Sequence, residues 1–431
     1  MHGVVRGIAG MAARRGDPQG RLVADPLVRA DPIPFLEQLR PQGPLIRGRV
    51  SFLTVEHSVA HELLRSDDFR VISLGASLPR PLRWLEQRTR TNQLHPLRPP
   101  SLLAVEPPAH TRYRKTVSSV FTPRAVATLR DRVEETAHAL LDQLAESGSD
   151  SVVDIVDRYC AQLPVAVISD ILGVPDEERA RVLEFGDLSA PSLDLGLSWA
   201  QYQRVETGLA GFNRWRDDHI AALRRNPGDN LMSELIRASD TDVHLTHDEL
   251  RAIAGLVLAA GFATTVNLLG HGIRMLLDAP EQREILRARP EQWPTAVEEI
   301  LRLDSPVQLS ARVASVDTEV AGTRVGRGEM VVLCLAAANR DPSVFDDPHR
   351  FDVTRGNAGR HLSFSGGRHF CLGAALARAE GEVGLSAFFA RFPQVRTAAA
   401  GTRRDTRVLR GWSSLPVRLG PSVPAQSAAA P

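Results

Sequence analysis

The chain has one lysine, Lys115, among its 52 basic residues; the others are arginine. Any mechanism that needs a second lysine is excluded, and the bias reads as a property of the genome rather than of the function. Cysteine is as scarce. Cys160, Cys334 and Cys371 are the whole set, and no two form a C-x-x-C pair. An odd, sparse set is neither a disulfide framework nor a zinc site, and it fits a reducing compartment. Aromatic residues make up only 5%, too few for a platform that stacks single-stranded nucleic acid. The formal net charge of +1 gives no general pull toward nucleic acid or an anionic membrane. Long apolar runs are missing too. The longest, Ala252 to Ala263, falls short of the ~18 to 20 residues that cross a bilayer, so it reads as a buried core helix with no membrane span. Between Met1 and Gly20, Arg6 interrupts Val4, Val5, Ile8 and Met11, and no cleavage site follows a clean apolar core. A cytoplasmic, soluble protein is the expectation.

Helical periodicity dominates what remains. Val133, Ala137, Leu140, Leu141 and Leu144 mark one face of a helix. Residues 154–172 read as helical up to Gly173-Val174-Pro175. Further helices are expected near 177–185, 200–223, 231–238, 281–288 and 294–303. Thr246 with Glu249 forms a capping box that opens the longest helix, expected to end near Leu277. Residues 45–55 read as a hairpin, and 316–320 and 330–335 as strands. Residues 71–103 hold five prolines among scattered leucines and Trp84, a long irregular stretch of the kind that packs over a site. The organisation expected is a mainly α single domain with small β-sheets over 25–420. An N-terminal extension over 1–24, a surface helix or partly disordered, precedes it. A disordered tail over 421–431 follows.

Chemistry concentrates at Cys371. It follows Phe364-Ser365-Gly366-Gly367-Arg368-His369-Phe370 and precedes Leu372-Gly373 and a helical stretch from Ala374. The glycines let the backbone turn tightly beside a flat ligand. A cysteine at a helix N-terminus meets free N–H groups and the positive dipole end, which favour the metal-binding thiolate. Arg368 and His369 add donors suited to carboxylates. The residues alone leave two readings: a thiolate metal ligand beside an anion-binding loop, or a buried structural cysteine after a turn.

The pattern Phe364-x-x-Gly367-x-His369-x-Cys371-x-Gly373 resembles the haem-binding signature of the cytochrome P450 family. Other motifs occur in the family's order. Glu299-Ile300-Leu301-Arg302 resembles its E-x-x-R helix, and Phe345 to Phe351 resembles the segment that supplies a third member, here Arg350. The resemblance implies a structural triad of Glu299, Arg302 and Arg350. His110-Thr111-Arg112-Tyr113-Arg114 resembles its H-x-x-x-R. With Arg312, His361 and His369, His110 and Arg114 would reach the haem propionates, and Cys371 would ligate the iron of haem b. Glu106-Pro107-Pro108-Ala109 and Ala338-Asn339-Arg340-Asp341-Pro342 resemble soluble actinobacterial members, nearest a mycobacterial branch without a settled substrate. The fold implied is the family's helix-rich triangular prism.

Ala260-Gly261-Phe262-Ala263-Thr264-Thr265 resembles the family's A-G-x-(Asp/Glu)-Thr motif. There Gly261 would open a groove for O2, and Thr264 would handle dioxygen and pass protons. Ala263 stands where an acid belongs. Water, a polar group on the substrate, or a side chain such as Thr265 or Asn267 would have to replace it. Slow or poorly coupled turnover of non-native substrates is expected. The family's substrate-contacting regions map onto Leu78, Leu82, Trp84, Leu188, Leu258, Phe262, Leu309 and Trp412, which implies a lipophilic small-molecule substrate. Electrons would come from a separate ferredoxin and an NAD(P)H-dependent reductase, with Arg112, Lys115, Arg368 and Arg378 as a basic docking face. The leading expectation is a monomeric haem-thiolate monooxygenase. Peroxide-driven oxidation, desaturation or coupling, and a haem sensor or carrier without turnover, are the alternatives.

Overall fold

In the computed structural model, residues 2–73, 94–194, 196–240 and 245–424 are described. One helix organises the rest. Thr246 caps it and Glu249 returns the hydrogen bond, as the sequence predicts, and it runs from His247 to Asp278. By length and apolarity this helix could cross a membrane. Instead it forms the middle of the main hydrophobic core, where Leu250, Leu258, Leu269, Ile273 and Leu276 are buried.

Two helices pack beside it. Gln162–Leu172 follows a π-helical turn at Val156–Cys160 and ends at Gly173, whose φ of 66° is the left-handed C-cap. The stretch expected to be one helix over 154–172 is therefore a strand, Val152–Asp154, then a turn, then a helix. The second neighbour, Ala374–Arg391, follows the cysteine loop. It meets the central helix through glycines: a Cβ on Gly381 would lie 3.0 Å from Leu268, and one on Gly384 would lie 2.9 Å from Leu269. A side chain at either position would push the helices apart.

A five-stranded sheet lies to one side. Its order is Ile46–Arg47, Phe52–Thr54, Met330–Cys334, Leu309–Ala314, Phe69–Val71. The predicted hairpin is its edge, with Ile46 opposite Leu53. The strand that matters most, Leu309–Ala314, is flanked on both sides, so Arg312 sits opposite Val331 and Val71. Residues before 25 form helices His2–Arg14 and Pro18–Ala24, and Leu22 enters a cluster with Val28, Phe35 and Leu36.

The cysteine loop is tied to this frame by a buried charge cluster. On helix Trp293–Leu303, Glu299 and Arg302 share a face at i, i+3 and have no exposed surface. Arg302 Nε and Nη2 donate to the two Glu299 oxygens at 2.6 and 2.9 Å. Its remaining donors reach the carbonyls of Asn339, Pro348 and Arg350 at 2.8, 2.8 and 3.2 Å. All five N–H groups of the guanidinium are used. The third member expected by resemblance was Arg350; the structure corrects this to Arg355. Arg355 Nε donates to Glu299 Oε1 at 3.1 Å, whereas Arg350 contributes only its backbone carbonyl and its side chain is exposed. Asn339 then passes the order on, accepting from Leu362 N at 2.7 Å and donating to Ser363 Oγ at 2.9 Å.

Breaking a buried pair strands a charge, so Glu299→Gln is expected to cost about 3–5 kcal/mol. Arg350→Ala should stay within about 0.5 kcal/mol, the usual range for a surface change. Arg355→Ala should fall between them. Urea unfolding of the three variants checks the order.

Candidate haem-thiolate site

Gly367 shapes the loop. Its φ is +62°, and a Cβ there would lie 2.6 Å from the carbonyl oxygen of Leu64. Neither fact tolerates a side chain. The turn leaves Cys371 N donating to Phe364 O at 2.9 Å. Phe364 is buried and lies under the Arg378 guanidinium, 4.6 Å from its ring centre. Gly373 caps the helix that follows, and nothing stands where its side chain would go. Cys160 and Cys334 are buried, whereas Cys371 is exposed. Desolvation lifts the Cys371 thiol above the ordinary value. The Gly373 N–H, a donor of the kind expected from sequence, and the Arg114 and Arg378 guanidiniums pull toward thiolate but do not outweigh it.

Around this loop the structure gathers hydrogen-bond donors. His110 and Arg114 share one face of helix Ala109–Val117. The His110 and His369 ring centres are 4.3 Å apart, and the His110 ring has a buried Nε2 with no hydrogen-bond partner. Burial first, then His369 and Arg114, press His110 down to about 4, so it is neutral near pH 7. Arg114 Nη1 donates to Phe370 O at 2.7 Å. Arg312 is buried and donates to Ser310 Oγ at 3.2 Å and to Ala311 O at 2.9 Å. Burial lowers it to about 10, still cationic. Glu106 lies beside this group: its Oε2 is 3.5 Å from His369 Nε2. One unpartnered imidazole nitrogen on His110, the His369 ring beside Glu106, and two arginines near one thiol fit a dicarboxylate ligand with a metal at its centre. The residues therefore fit haem.

Some expected members stand elsewhere. His361 is not with the donor group: its Nε2 is 3.2 Å from Glu298 Oε2, and Nδ1 accepts from Ser363 N at 3.1 Å. Burial opposes ionisation of Glu298, but His361 and Arg378 outweigh it and hold that carboxyl down at about 2. The basic docking face is largely neutralised. Arg112 makes a forked pair with Glu249 at 2.6 and 3.0 Å, Arg368 pairs with Asp67 and Glu106, and Arg378 pairs with Glu298.

Between Leu256 and Thr264 the central helix is partly accessible, at Val257, Ala259 and Gly261 as well as along a stripe of Leu256, Ala260, Ala263 and Thr264 at i, i+4, i+7 and i+8. Thr264 Oγ1 donates to Ala260 O at 3.0 Å. Ala260 is the small residue on this stripe. Gly261, expected there, instead closes on Ile168, 3.1 Å from where a Cβ would sit. The predicted pocket is also redrawn. Leu78, Leu82 and Trp84 lie outside the described residues, as does the side chain of Phe262. Leu258 is in the core, and Leu188 packs on Gly208. Strand alternation sends Leu309 away from Arg312 and onto the Leu22–Leu36 cluster, leaving Ser310 on the arginine's side. Trp412 lies under Arg403, 3.7 Å from its ring, and lines a separate cavity of about 430 Å³ with His271 and Arg274.

One residue was missed. Glu380 is buried on the helix after Cys371 and hydrogen-bonded to Thr265; burial lifts it to about 8 despite that bond. The signal was present: an acid at i+4 from Leu376 and i−4 from Gly384, on an otherwise apolar stripe. Of the two side chains considered as replacements for an acid at 263, Asn267 packs against Gly411 instead. Thr265 also donates to Gly261 O at 3.1 Å.

The folded chain holds the Glu380 proton up to about pH 8, while an unfolded carboxyl releases it near 4.5. Between those values the folded state binds more protons, so this group lowers stability as pH rises. Glu380→Gln should remove that slope and gain, relative to wild type above pH 8, on the order of 4 kcal/mol. Denaturant midpoints from pH 5 to about 9 measure it.

The comparisons agree with this geometry. The sequence profile of the family described as Cytochrome P450 matches residues 293–403, which hold the Glu299–Arg302 cluster and the Cys371 loop. The chain is 67% identical over 425 residues to a protein of Mycobacterium tuberculosis (strain ATCC 25618 / H37Rv) designated cytochrome P450 140, covering 98% of this chain and 97% of that one. It is 44% identical over 318 residues to the 6-deoxyerythronolide B hydroxylase of Saccharopolyspora erythraea, covering 73% and 76%. Among solved structures, P450BioI in complex with acyl carrier protein ligated to hexadec-9Z-enoic acid superposes with a TM-score of 0.80 at 30% identity, over 91% of this chain and 99% of that chain. The donor cluster around Cys371, the buried charge pair behind it and near-full-length identity to known members place this chain in the cytochrome P450 family, whose members bind haem b.

Proposed function

We propose that the chain is a monooxygenase that inserts one oxygen atom from O2 into a lipophilic small molecule, drawing electrons from a separate ferredoxin and its NAD(P)H-dependent reductase in the cytoplasm. The observation that supports this is the partly accessible stripe of the central helix, where Leu256 and Ala263 also pack on the core, Ala260 is exposed and the Thr264 hydroxyl is the polar group. A pocket wall of that kind orients an apolar substrate and offers one polar handle. The named relatives fit the class: one hydroxylates 6-deoxyerythronolide B, and one is solved with a long-chain acyl group.

In this reading Cys371 ligates the haem iron, and His110, Arg114, Arg312 and His369 hold its carboxylates. Bound there, haem supplies oxygen activation, which a thiolate ligand favours. The chain's own part is to orient the substrate, exclude water and deliver protons. With Ala263 unable to carry one, Glu380 is the proton reservoir. It is neutral near pH 7, and its carboxyl is bonded to the Thr265 hydroxyl; because neighbouring helix residues do not face each other, in this reading water carries the proton on to Thr264.

With a ferredoxin system and a substrate found by its spin-state shift, product is expected to contain one atom from O2. Glu380→Gln should cut product per NADPH by about tenfold, the low side of general acid catalysis, and Ala263→Glu should restore much of it. Sustained turnover on peroxide with none on ferredoxin would refute the monooxygenase reading. Unchanged coupling in Glu380→Gln would refute the proton route alone.

A further inference from the structure

Helix His2–Arg14 is inverted for a surface helix. Its inward residues are the small Ala9 and Ala12, which are buried. Its outward face carries Val4, Ile8 and Met11, exposed by 49%, 44% and 57%. At i, i+4 and i+7 they form one stripe. Arg14 and Arg15 are exposed beside it, Arg6 is exposed on the other side of the helix, and no acid occurs between residues 2 and 16. The first acid, Asp17, is buried and occupied, accepting from Gly20 N at 2.8 Å and Arg49 N at 2.7 Å.

The inward side of the helix packs on a neighbouring helix that carries an exposed tryptophan. The His2 ring is 5.4 Å from Tyr202, and Tyr202 is 5.6 Å from Trp199, which is 70% exposed. The helix is held in this pose: Leu197 N meets His2 Nδ1 at 3.4 Å, and Arg6 packs beside Gly196. Scattered exposed apolar side chains need no explanation, but a ridge of three backed by an exposed tryptophan does.

We propose that this face docks the folded protein onto an anionic phospholipid surface. Val4, Ile8, Met11 and Trp199 enter the interface, and Arg14 and Arg15 lie among the headgroup phosphates. An apolar stripe flanked by arginine is the form of helices that lie in a membrane interface, and tryptophan is enriched at that depth. Each arginine near an anionic leaflet adds attraction of a strength comparable to about one buried methylene. The overall charge of +1 does not oppose this, because the cations are local and the balancing acids lie elsewhere in the chain. The charge also chooses between occupants. A second copy seated on the same face through a twofold axis would set arginines against arginines, which like-charge repulsion disfavours. The inference rests on this surface and not on the substrate class.

The test uses the full-length, haem-loaded protein and sucrose-filled vesicles of phosphatidylcholine with or without phosphatidylglycerol. Wild type should sediment with the phosphatidylglycerol vesicles at low salt and be released by high salt. Ile8→Glu/Met11→Glu should lower the partition coefficient by about tenfold or more, and Arg14→Glu/Arg15→Glu should do the same. Val316→Glu, a control at another exposed apolar position, should bind as wild type. Vesicles should also blue-shift the tryptophan emission of wild type but not of Trp199→Phe, a variant that leaves the helix sequence intact. Failure of wild type to bind at low salt overturns the proposal. So does unchanged binding of Ile8→Glu/Met11→Glu. A wild-type dimer that this variant makes monomeric, with no vesicle binding, would assign the face to a second copy instead.

Discussion

Two opposite charges, Glu299 and Arg302, lie in the interior with no exposed surface, and the cysteine loop takes its position through them. Such a pair is costly to desolvate and stands only if every donor and acceptor is used. Here the guanidinium spends its five N–H groups on one carboxylate and three backbone carbonyls. Those carbonyls belong to the segment between residues 339 and 350. That segment then fixes Leu362 and Ser363 through Asn339, and Ser363 Oγ donates to Leu301 O at 2.7 Å, returning to the helix that carries the pair. A closed circuit of this kind admits one arrangement. It defines where Phe364, Gly367 and Cys371 stand.

The site joined to that circuit is unbalanced on purpose. Glu298 and Glu106 are each within ion-pair distance of a histidine and an arginine, so the acids near the loop are occupied. His110 keeps a buried nitrogen without a hydrogen-bond partner, and Arg312 stays cationic despite its burial. Groups of this kind cost free energy unless a ligand meets them. A ligand bearing carboxylates meets them all.

Local motifs were legible in the sequence because each depends on few residues. The capping box at Thr246, the glycine turn before Cys371 and the i, i+4 placement of His110 and Arg114 all follow from short-range spacing. Partners set by long-range packing were not. Arg350 and Arg355 are both arginines within one irregular segment, and only the fold decides which side chain turns inward. His361 has the spacing of a ligand-binding residue, but Glu298, on a helix sixty-odd residues earlier in the chain, claims it. Leu309 was misplaced by one residue of strand parity, the smallest error a strand allows and one that changes its face. Glu380 was overlooked because an acid two residues from Arg378 and from Glu382 looks solvated until the helix packs.

The absorption spectrum of the dithionite-reduced protein under carbon monoxide bears most directly on the site. A Soret band at the strongly red-shifted position of a thiolate-ligated haem, lost in Cys371→Ser, is the predicted result. A band only at the shorter, histidine-like position in freshly prepared protein would contradict it. It would mean that the loop held in place by Glu299 and Arg302 does not present a thiolate to the iron.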